Sequence, residues 1–209
     1  MKKRLKQLLI IIIIMIILSI ILIYIYSKKI SPVIMKYALI DSKKIGISII
    51  SKGVNEEVTK ILDNNDIFYI EKDKNDVVET IDYNTKVVNE LLSIVSRITY
   101  DNLKDIEKNN NGIITRIPIG VVTDNVFFNN LGPKVPVKIN LDGNVLTSLK
   151  SDVKEYGLNS ALIQISVKVE ANIDVIIPLK VEKIIIVNEV PVSIKIIKGN
   201  VSSIFTGNK

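Results

Sequence analysis

The sequence predicts an α+β fold, in which an N-terminal transmembrane helix precedes one domain with two amphipathic helices packed on a long-stranded, curved antiparallel β-meander. Three patterns support this fold class. An apolar run covers Leu8–Tyr26, apolar residues recur at helical spacing between Pro32 and Lys108, and apolar and polar residues alternate over Ala161–Ile177. Helices and strands with one apolar face bury those faces against each other, so we expect the helices to cover the dry face of the sheet.

The apolar run Leu8–Tyr26 is long enough to cross the ~30 Å hydrocarbon core of a bilayer as a helix. Four basic residues precede the run and two follow it. Basic flanks are retained in the cytoplasm, which predicts a cytoplasmic N-terminus and an extracytoplasmic domain. A cleaved signal peptide is the competing interpretation, but its apolar core is shorter, and Tyr24–Lys29 lacks the small-x-small pattern of a cleavage site. We therefore expect residues 1–29 to be an uncleaved, single-pass signal anchor.

The net charge of +6 lies entirely in this anchor region. Residues 1–29 hold six Lys and Arg and no Asp or Glu, whereas residues 30–209 hold 22 basic and 22 acidic side chains. Nucleic-acid-binding proteins need a basic face that displaces counterions from phosphates. The neutral remainder is long enough for one domain with a hydrophobic core, and we expect no nucleic-acid partner for it.

The first half of this domain, residues 30–112, predicts a helix, a hairpin and a second helix. Ser31 is expected to cap a helix that starts at Pro32 and ends near Leu62. Gly46 and Gly53 weaken the helix locally. Because this helix follows the span closely, the two are expected to form a stiff stalk. Its predicted apolar face consists of Ile34, Ala38, Ile45, Ile49, Val54, Val58 and Ile61.

A hairpin and the second helix follow. Ile67–Ile70 and Val77–Tyr83 flank a polar turn, Glu71–Asp76, as the strands of a hairpin do. Asn84 is expected to cap a helix from about Thr85 to Lys108. One face of that helix carries Val87, Leu91, Ile94, Val95, Ile98 and Leu103.

The second half, residues 113–209, predicts the β-meander. Apolar residues occupy odd positions from Val135 to Val153, and the alternation is strongest over Ala161–Ile177. Period-two alternation means that one face of a strand is dry and the other is wet. Pro178 ends this strand because it cannot donate to a ladder hydrogen bond.

The last predicted strand, Leu179–Ile197, changes its apolar phase. Apolar residues occupy odd positions up to Val187 and even positions from Val190 onwards. A slip of one residue turns every side chain to the other face, so this shift predicts a bulge or break near Asn188–Glu189. Pro191 supports an interruption there.

The chain has no histidine and no cysteine, which removes catalytic triads, Cys-His nucleophiles and zinc sites built on those residues. We expect no enzymatic activity, no cofactor and no metal. Calcium ligation by Asp73, Asn75 and Asp76 is the one metal alternative. A calcium loop of the common type needs a glycine at its sixth position and a glutamate at its twelfth, and these positions hold Val78 and Asn84. The cluster is therefore interpreted as a solvated hairpin tip.

Two segments rich in glycine and proline, Arg116–Gly120 and Asn129–Val137, predict a well-defined loop. Half of the four phenylalanines of the chain lie between them. The loop either folds onto the edge of the core or makes contact with a partner or the membrane surface. The candidate interaction loop consists of Ile117, Pro118, Gly120, Phe127, Phe128, Leu131, Gly132, Pro133, Lys134 and Pro136.

Five segments carry a resemblance to a known family: Arg116–Gly120, Asn130–Lys138, Val153–Ala161, Val175–Pro178 and Val190–Gly199. Together they resemble the YunB family of sporulation proteins. The resemblance runs from the anchor to near the C-terminus and is densest over residues 113–200. It implies a membrane-anchored role in spore formation in spore-forming Firmicutes, in the mother-cell membrane facing the forespore. It assigns no enzymatic activity to any residue.

The leading hypothesis is a membrane-anchored structural or interaction protein whose partners are other sporulation membrane or envelope proteins. Its alternative is a domain that binds lipid or another apolar ligand at the membrane surface, motivated by an excess of apolar strand surface over only two helices. A third is a carboxylate-dependent hydrolase of cell-wall material. Such an enzyme needs two facing carboxylates, and no spacing in the sequence places such a pair.

Overall fold

The computed structural model describes residues 2–62, 66–72, 78–157 and 160–198 and shows an α+β protein with a long N-terminal apolar helix and antiparallel sheets. Strands β1 and β2 form one sheet, and β3 to β6 form a second in the order β3-β4-β5-β6. The elements are α1 (Lys2–Ile25), a π-helical turn (Tyr26–Ile30), α2 (Ser31–Leu62), β1 (Phe68–Lys72), β2 (Val78–Tyr83), α3 (Thr85–Lys108), a 3₁₀ turn (Asn109–Gly112), β3 (Ile113–Pro118), a second 3₁₀ turn (Ile119–Thr123), β4 (Lys134–Glu155), β5 (Ser160–Ile177) and β6 (Lys180–Lys198).

The chain divides into two compact units, each assembled from segments distant in sequence. The first unit combines Met1–Lys44, Ile106–Asn140 and Asp174–Ile184, and the second combines Ile45–Asp105, Leu141–Ile173 and Ile185–Lys209. Both units draw on the helical and the strand-rich halves of the sequence. The prediction of a single domain over residues 30–209, with parts 30–112 and 113–209, stays a prediction.

The helix continues without a break from α1 through the π-helical turn into α2. The predicted close succession of the two helices is therefore confirmed, but the predicted cap at Ser31 is wrong. Ser31 has helical φ and ψ angles, and its N–H donates to the Tyr26 carbonyl within the π-helical turn. A cap satisfies the free donors at a helix start, and no helix starts here. The π turn directly precedes Pro32, which lacks the donor that a regular helical turn would need.

The buried stripe of α2 differs from the predicted amphipathic face. Ile45, Ile49 and Ile61 are only half-buried, and small residues occupy several positions of the stripe. An amphipathic α2 is therefore not confirmed, because small residues leave the stripe with little apolar surface. The buried residues of α2 are Ser31, Ile34, Met35, Ala38, Ser42, Gly46, Ile50, Gly53, Val54 and Val58.

Gly46 is a point of close approach between α2 and β6. A Cβ atom at this position would lie 2.1 Å from Cδ1 of Ile186, which is fully buried. At Gly53 an added Cβ would lie 2.9 Å from Nδ2 of Asn102 and 3.1 Å from Cγ2 of Ile98 on α3. The two glycines that weaken α2 as an isolated helix therefore let the helix pack tightly against its neighbours.

We expect Gly46→Ala and Ile186→Val to compensate one another. The alanine methyl overpacks the contact, at a cost of about 1–3 kcal/mol that helix propensity offsets by up to about 1 kcal/mol. Ile186→Val alone costs about 0.5–1.5 kcal/mol because it leaves a small cavity. In the double variant the shorter valine side chain lacks the Cδ1 atom that meets the new methyl, so urea unfolding of the full chain in detergent should show a favourable coupling of about 1 kcal/mol or more. Strictly additive effects would contradict this contact.

Helix α3 covers the predicted range, and the structure confirms its cap. Oδ1 of Asn84 accepts a hydrogen bond from the Val87 N–H at 3.3 Å, and its Nδ2 donates to the Tyr69 hydroxyl at 2.9 Å. Leu91, Val95 and other residues at helical spacing form one buried face. Of the predicted face, Ile94 and Ile98 are half-buried. The buried residues of α3 are Val87, Val88, Leu91, Val95, Thr99 and Leu103.

The predicted hairpin is confirmed, since β1 and β2 pair antiparallel with Phe68 opposite Tyr83. Its turn, residues 73–77, lies outside the described residues, and so do the candidate calcium ligands Asp73, Asn75 and Asp76.

Strand β5 follows the predicted alternation closely. Its odd-numbered residues from Ile163 to Ile177 are all buried, whereas residues such as Asn172 on the other face contact solvent. In β4 the odd-numbered apolar residues are buried as far as Val145, and Val153 near the end of the strand is exposed. Alternation in sequence thus identifies the dry face of both strands.

Strand β6 does not show the predicted change of phase. Along one continuous strand, the even-numbered residues as far as Val192 are half-buried or buried, and Ile186 and Val190 are the buried ones. Asn188 keeps this phase and donates from Nδ2 to Ser51 Oγ on α2 at 2.8 Å. Packing against α2 at Gly46 and Ser51 sets the phase, not the number of apolar residues per face. The predicted odd-numbered apolar residues are therefore on the exposed face: Val181, Ile185 and Val187.

Candidate functional site

The sequence predicted a loop over Arg116–Gly120, but the structure shows that part of this segment is a strand. Ile113–Pro118 forms β3, which pairs antiparallel with the start of β4 so that Ile117 lies opposite Val135. Pairing buries Ile117, which is 4% exposed. Of the candidate interaction loop, Ile117, Pro118, Lys134 and Pro136 are strand residues.

The connection between β3 and β4, residues 119–133, is held by backbone hydrogen bonds, and we call it the braced loop. The Ile119 N–H donates to the Pro133 carbonyl and the Gly120 N–H to the Leu131 carbonyl, each at 3.0 Å. These bonds extend the contact between the two chain segments beyond the β3–β4 ladder. The prediction of a well-defined loop is therefore confirmed for this segment.

Asn125 organises the far end of the braced loop. Its Oδ1 accepts from the Phe127 N–H at 3.0 Å, and its carbonyl accepts from the N–H groups of Phe128 and Asn129 at 3.0 and 3.1 Å. The Leu131 N–H in turn donates to the Phe128 carbonyl at 2.9 Å. Asn is suited to this role because its short side chain can imitate a backbone turn. An Asn at the start of such a turn is the sequence signal for this role.

Gly120 is required where the two segments of the braced loop cross. A Cβ atom there would lie 1.8 Å from the Phe128 carbonyl oxygen and 2.7 Å from the Leu131 carbonyl oxygen. Both are backbone atoms that cannot rotate away. Gly132, with a φ of +89°, adds a left-handed residue that favours glycine.

The braced loop presents four large apolar side chains to solvent, which we call the apolar tip. Val126 and Phe127 are 84% and 88% exposed, and Phe128 and Leu131 are 50% and 55% exposed. No charged residue occurs between Asp124 and Lys134. Val126 belongs to this surface although the candidate set omitted it. Exposed apolar groups clustered on a fixed loop mark a contact surface more often than single exposed residues do.

A groove of about 390 Å³ lies beside the braced loop, within the first unit. Residues from the start of α2 form one wall, and residues of the 3₁₀ turn Ile119–Thr123 and Asp124 form the other. The start of α2 is the part of the chain that directly follows the apolar helix. The groove is lined by Pro32, Val33, Lys36, Tyr37, Val121, Val122 and Asp124.

A second, open groove of about 560 Å³ lies within the other unit, between α3 and β4, and the sequence did not indicate it. Two side-chain hydrogen bonds join its walls, from Ser96 Oγ to the Val145 carbonyl at 2.8 Å and from Thr147 Oγ1 to the Leu92 carbonyl at 3.0 Å. Arg97 is its one charged residue. The groove has no carboxylate in its lining, so it offers no acid–base pair. Across the residues that the structure describes, no cluster of acidic side chains could hold a metal ion.

The model of the family described as Sporulation protein YunB matches residues 114–204, a range that begins in β3 and contains the braced loop. The Sporulation protein YunB of Bacillus subtilis (strain 168) is 35% identical over 192 residues, which cover 89% of this chain and 76% of that protein. The chain belongs to the YunB family.

Membership of the YunB family supports a role in sporulation. No solved structure matches the chain. Among the residues that the structure describes, one helix, within Lys6–Ile61, is long and apolar enough to cross a membrane by length and composition. In this YunB family member, residues of the same helix, among them Pro32 and Tyr37, line the groove beside the braced loop.

Proposed function

We propose that the protein is a membrane-anchored, non-enzymatic structural or interaction protein of spore formation. Its domain lies outside the cytoplasm, on the mother-cell membrane that faces the forespore, where it contacts other sporulation membrane or envelope proteins. Membership of the YunB family supports the process. The apolar helix at the N-terminus, with basic residues on both sides, supports the anchor and its orientation.

The observation that carries the proposal is the apolar tip on the braced loop. Phe127 is 88% exposed while the backbone on both sides of it is tied down by hydrogen bonds. Exposing this much apolar surface is unfavourable in water, and a braced backbone loses little conformational entropy when a partner covers it. The apolar tip therefore has the properties of a preformed contact surface.

The chemistry on the surface supports a non-enzymatic role. The two grooves described above contain a single carboxylate, Asp124, and the chain has no histidine and no cysteine. A hydrolase that works through two carboxylates needs both of them at one cleft.

The alternative hypothesis, a domain that binds an apolar ligand, was based on an apolar strand surface larger than two helices would cover. In the structure the dry face of β5 is filled, since Ile165, Val169 and Val175 are fully buried and their neighbours on that face nearly so. This burial supports a packed core at β5 over an internal ligand groove there, whereas Val181, Ile185 and Val187 on β6 are exposed.

We expect the double substitution Phe127→Ser and Phe128→Ser to reduce spore formation without destabilising the protein. Both side chains are half-exposed or more, so the free energy of unfolding should change by less than about 0.5–1 kcal/mol. Loss of a central aromatic contact weakens binding by about tenfold or more. The measurement is the yield of heat-resistant spores in a spore-forming host whose own family member has been replaced by the variant.

The matched control is the double substitution Val153→Ser and Tyr156→Ser, which removes two exposed apolar side chains, 66% and 55% exposed, at the end of β4. It should leave the yield at the wild-type value. Equal yields from both variants, with protein levels in the membrane fraction matched by immunoblot, would show that the apolar tip is not the contact surface.

A further inference from the structure

The apolar tip has no cover within the part of the chain that the structure describes, and the groove that the braced loop shares with the start of α2 indicates what covers it. We propose that Val126, Phe127, Phe128 and Leu131 insert into the interfacial layer of the bilayer that α1 crosses. This inference rests on the proposed membrane anchor. It names lipid as the partner of the tip and leaves contact with other sporulation proteins to other surfaces of the domain.

The distance along the helix supports this arrangement. Pro32 and Val33 line the groove together with Val121 and Val122, so the second 3₁₀ turn lies beside the first turn of α2. Pro32 follows Ile25, the end of α1, by seven residues, which is roughly 10 Å along a helix axis. The headgroup layer on each side of the hydrocarbon core is about 5–8 Å thick. The groove therefore lies near the outer edge of the headgroups, and Asp124 in its wall is only two residues from Val126.

The composition of the loop suits this layer. From Asn125 to Pro133 the chain has no charge, so insertion requires no charged side chain to lose its hydration. Lys28 and Lys29 in the π-helical turn are exposed and follow the apolar helix directly in sequence, and Lys36 lines the groove. These cations would favour anionic headgroups. Apolar and aromatic side chains next to basic residues are typical of segments that lie in the interface.

The rigidity of the loop distinguishes insertion from accidental exposure. A flexible apolar segment would fold back onto the protein to leave water, but the bonds from Gly120 to Leu131 and from Ile119 to Pro133 brace the backbone while the four side chains of the tip remain exposed. The tip begins two residues after Asp124, which lines the groove at the start of α2. Burial of the tip in lipid removes the free-energy cost of exposing its apolar surface to water, and no second protein is needed for this.

The test uses the absence of tryptophan from the chain. Full-length Phe127→Trp is reconstituted in vesicles of phosphatidylcholine and phosphatidylglycerol, with and without lipids that carry a doxyl quencher just below the headgroup. We expect the doxyl lipid to reduce the emission by at least about twofold and the blue-shifted emission to resist aqueous acrylamide. Phe128→Trp repeats the measurement at the neighbouring position, so the result does not depend on one variant.

Tyr156→Trp is the matched control, because Tyr156 is an exposed aromatic residue at the opposite end of β4 from the braced loop. It should be quenched by acrylamide and not by the doxyl lipid. Tryptophan at 127 or 128 that behaves like tryptophan at 156 would overturn the insertion.

Retention of the wild-type chain by the vesicles after an alkaline carbonate wash tests the anchor separately. If the chain is washed off, the proposed function fails together with the insertion. If the chain is retained while tryptophan at 127 remains open to acrylamide, only the insertion fails, and a protein partner becomes the expected cover of the tip.

Discussion

Replacing Ile173 with aspartate is expected to abolish folding of the domain. Ile173 is 1% exposed in β5, on the dry face that includes Ile165 and Val169. The substitution removes a buried apolar side chain and leaves a carboxyl group without a partner among apolar neighbours. The combined cost is at least about 5 kcal/mol, comparable with the whole stability of an ordinary domain. Circular dichroism of the purified full chain in detergent should show loss of the strand signal, and the yield should fall.

The adjacent substitution Asn172→Asp is the control for this experiment. It introduces the same side chain one residue away, but Asn172 lies on the wet face of β5. We expect the thermal midpoint to remain close to that of the wild type. If Ile173→Asp folded as stably as Asn172→Asp, the assignment of the dry face would be wrong.

The second large effect is expected from Gly120→Ala. The added methyl would lie 1.8 Å from the Phe128 carbonyl oxygen, so the braced loop must open and the bond from the Gly120 N–H to Leu131 must break. Overpacking against backbone together with a lost hydrogen bond costs about 2–4 kcal/mol. Urea unfolding in detergent measures this cost. Although every residue of the apolar tip is retained, the variant should lose spore yield as the double phenylalanine variant does.

Gly143→Ala is the matched control for Gly120→Ala. Gly143 has a φ of +84° and nothing within 4 Å of an added Cβ, so alanine there is strained but meets no atom. It should cost about 1–2 kcal/mol and leave spore yield unchanged. A normal yield for Gly120→Ala, at a stability equal to that of Gly143→Ala, would show that the shape of the braced loop does not matter for function.

Local signals in the sequence predicted the elements that depend on local chemistry. Asn84 before the periodic face of α3 predicted both the helix and its cap, and alternation over Ala161–Ile177 predicted the buried face of β5. In each case hydrogen bonds or side-chain periodicity within one segment decide the structure. The glycines and prolines around Gly120 likewise predicted a defined loop, because they restrict the backbone wherever they occur.

The predictions that were wrong concern features that depend on contacts with another segment of the chain. The phase of β6 follows from the contacts of Ile186 and Asn188 with α2, and a count of apolar residues per face favoured the opposite phase. The prolines and glycines around Ile117 predicted a loop, whereas Ile117 lies in a strand and is buried by pairing with β4. Neither partner can be identified from the segment itself.

By itself, the sequence determined the apolar helix, the neutral remainder of the chain, the existence of α3 and of the long strands, and membership of a sporulation family. These features depend on composition and on contacts between residues close in the chain. Only the tertiary structure decided which face of β6 is buried, which glycines of α2 are points of contact, and that the braced loop lies beside the start of α2. The physical reason is that a residue is buried by a second segment that packs against its own, and the two segments are distant in sequence.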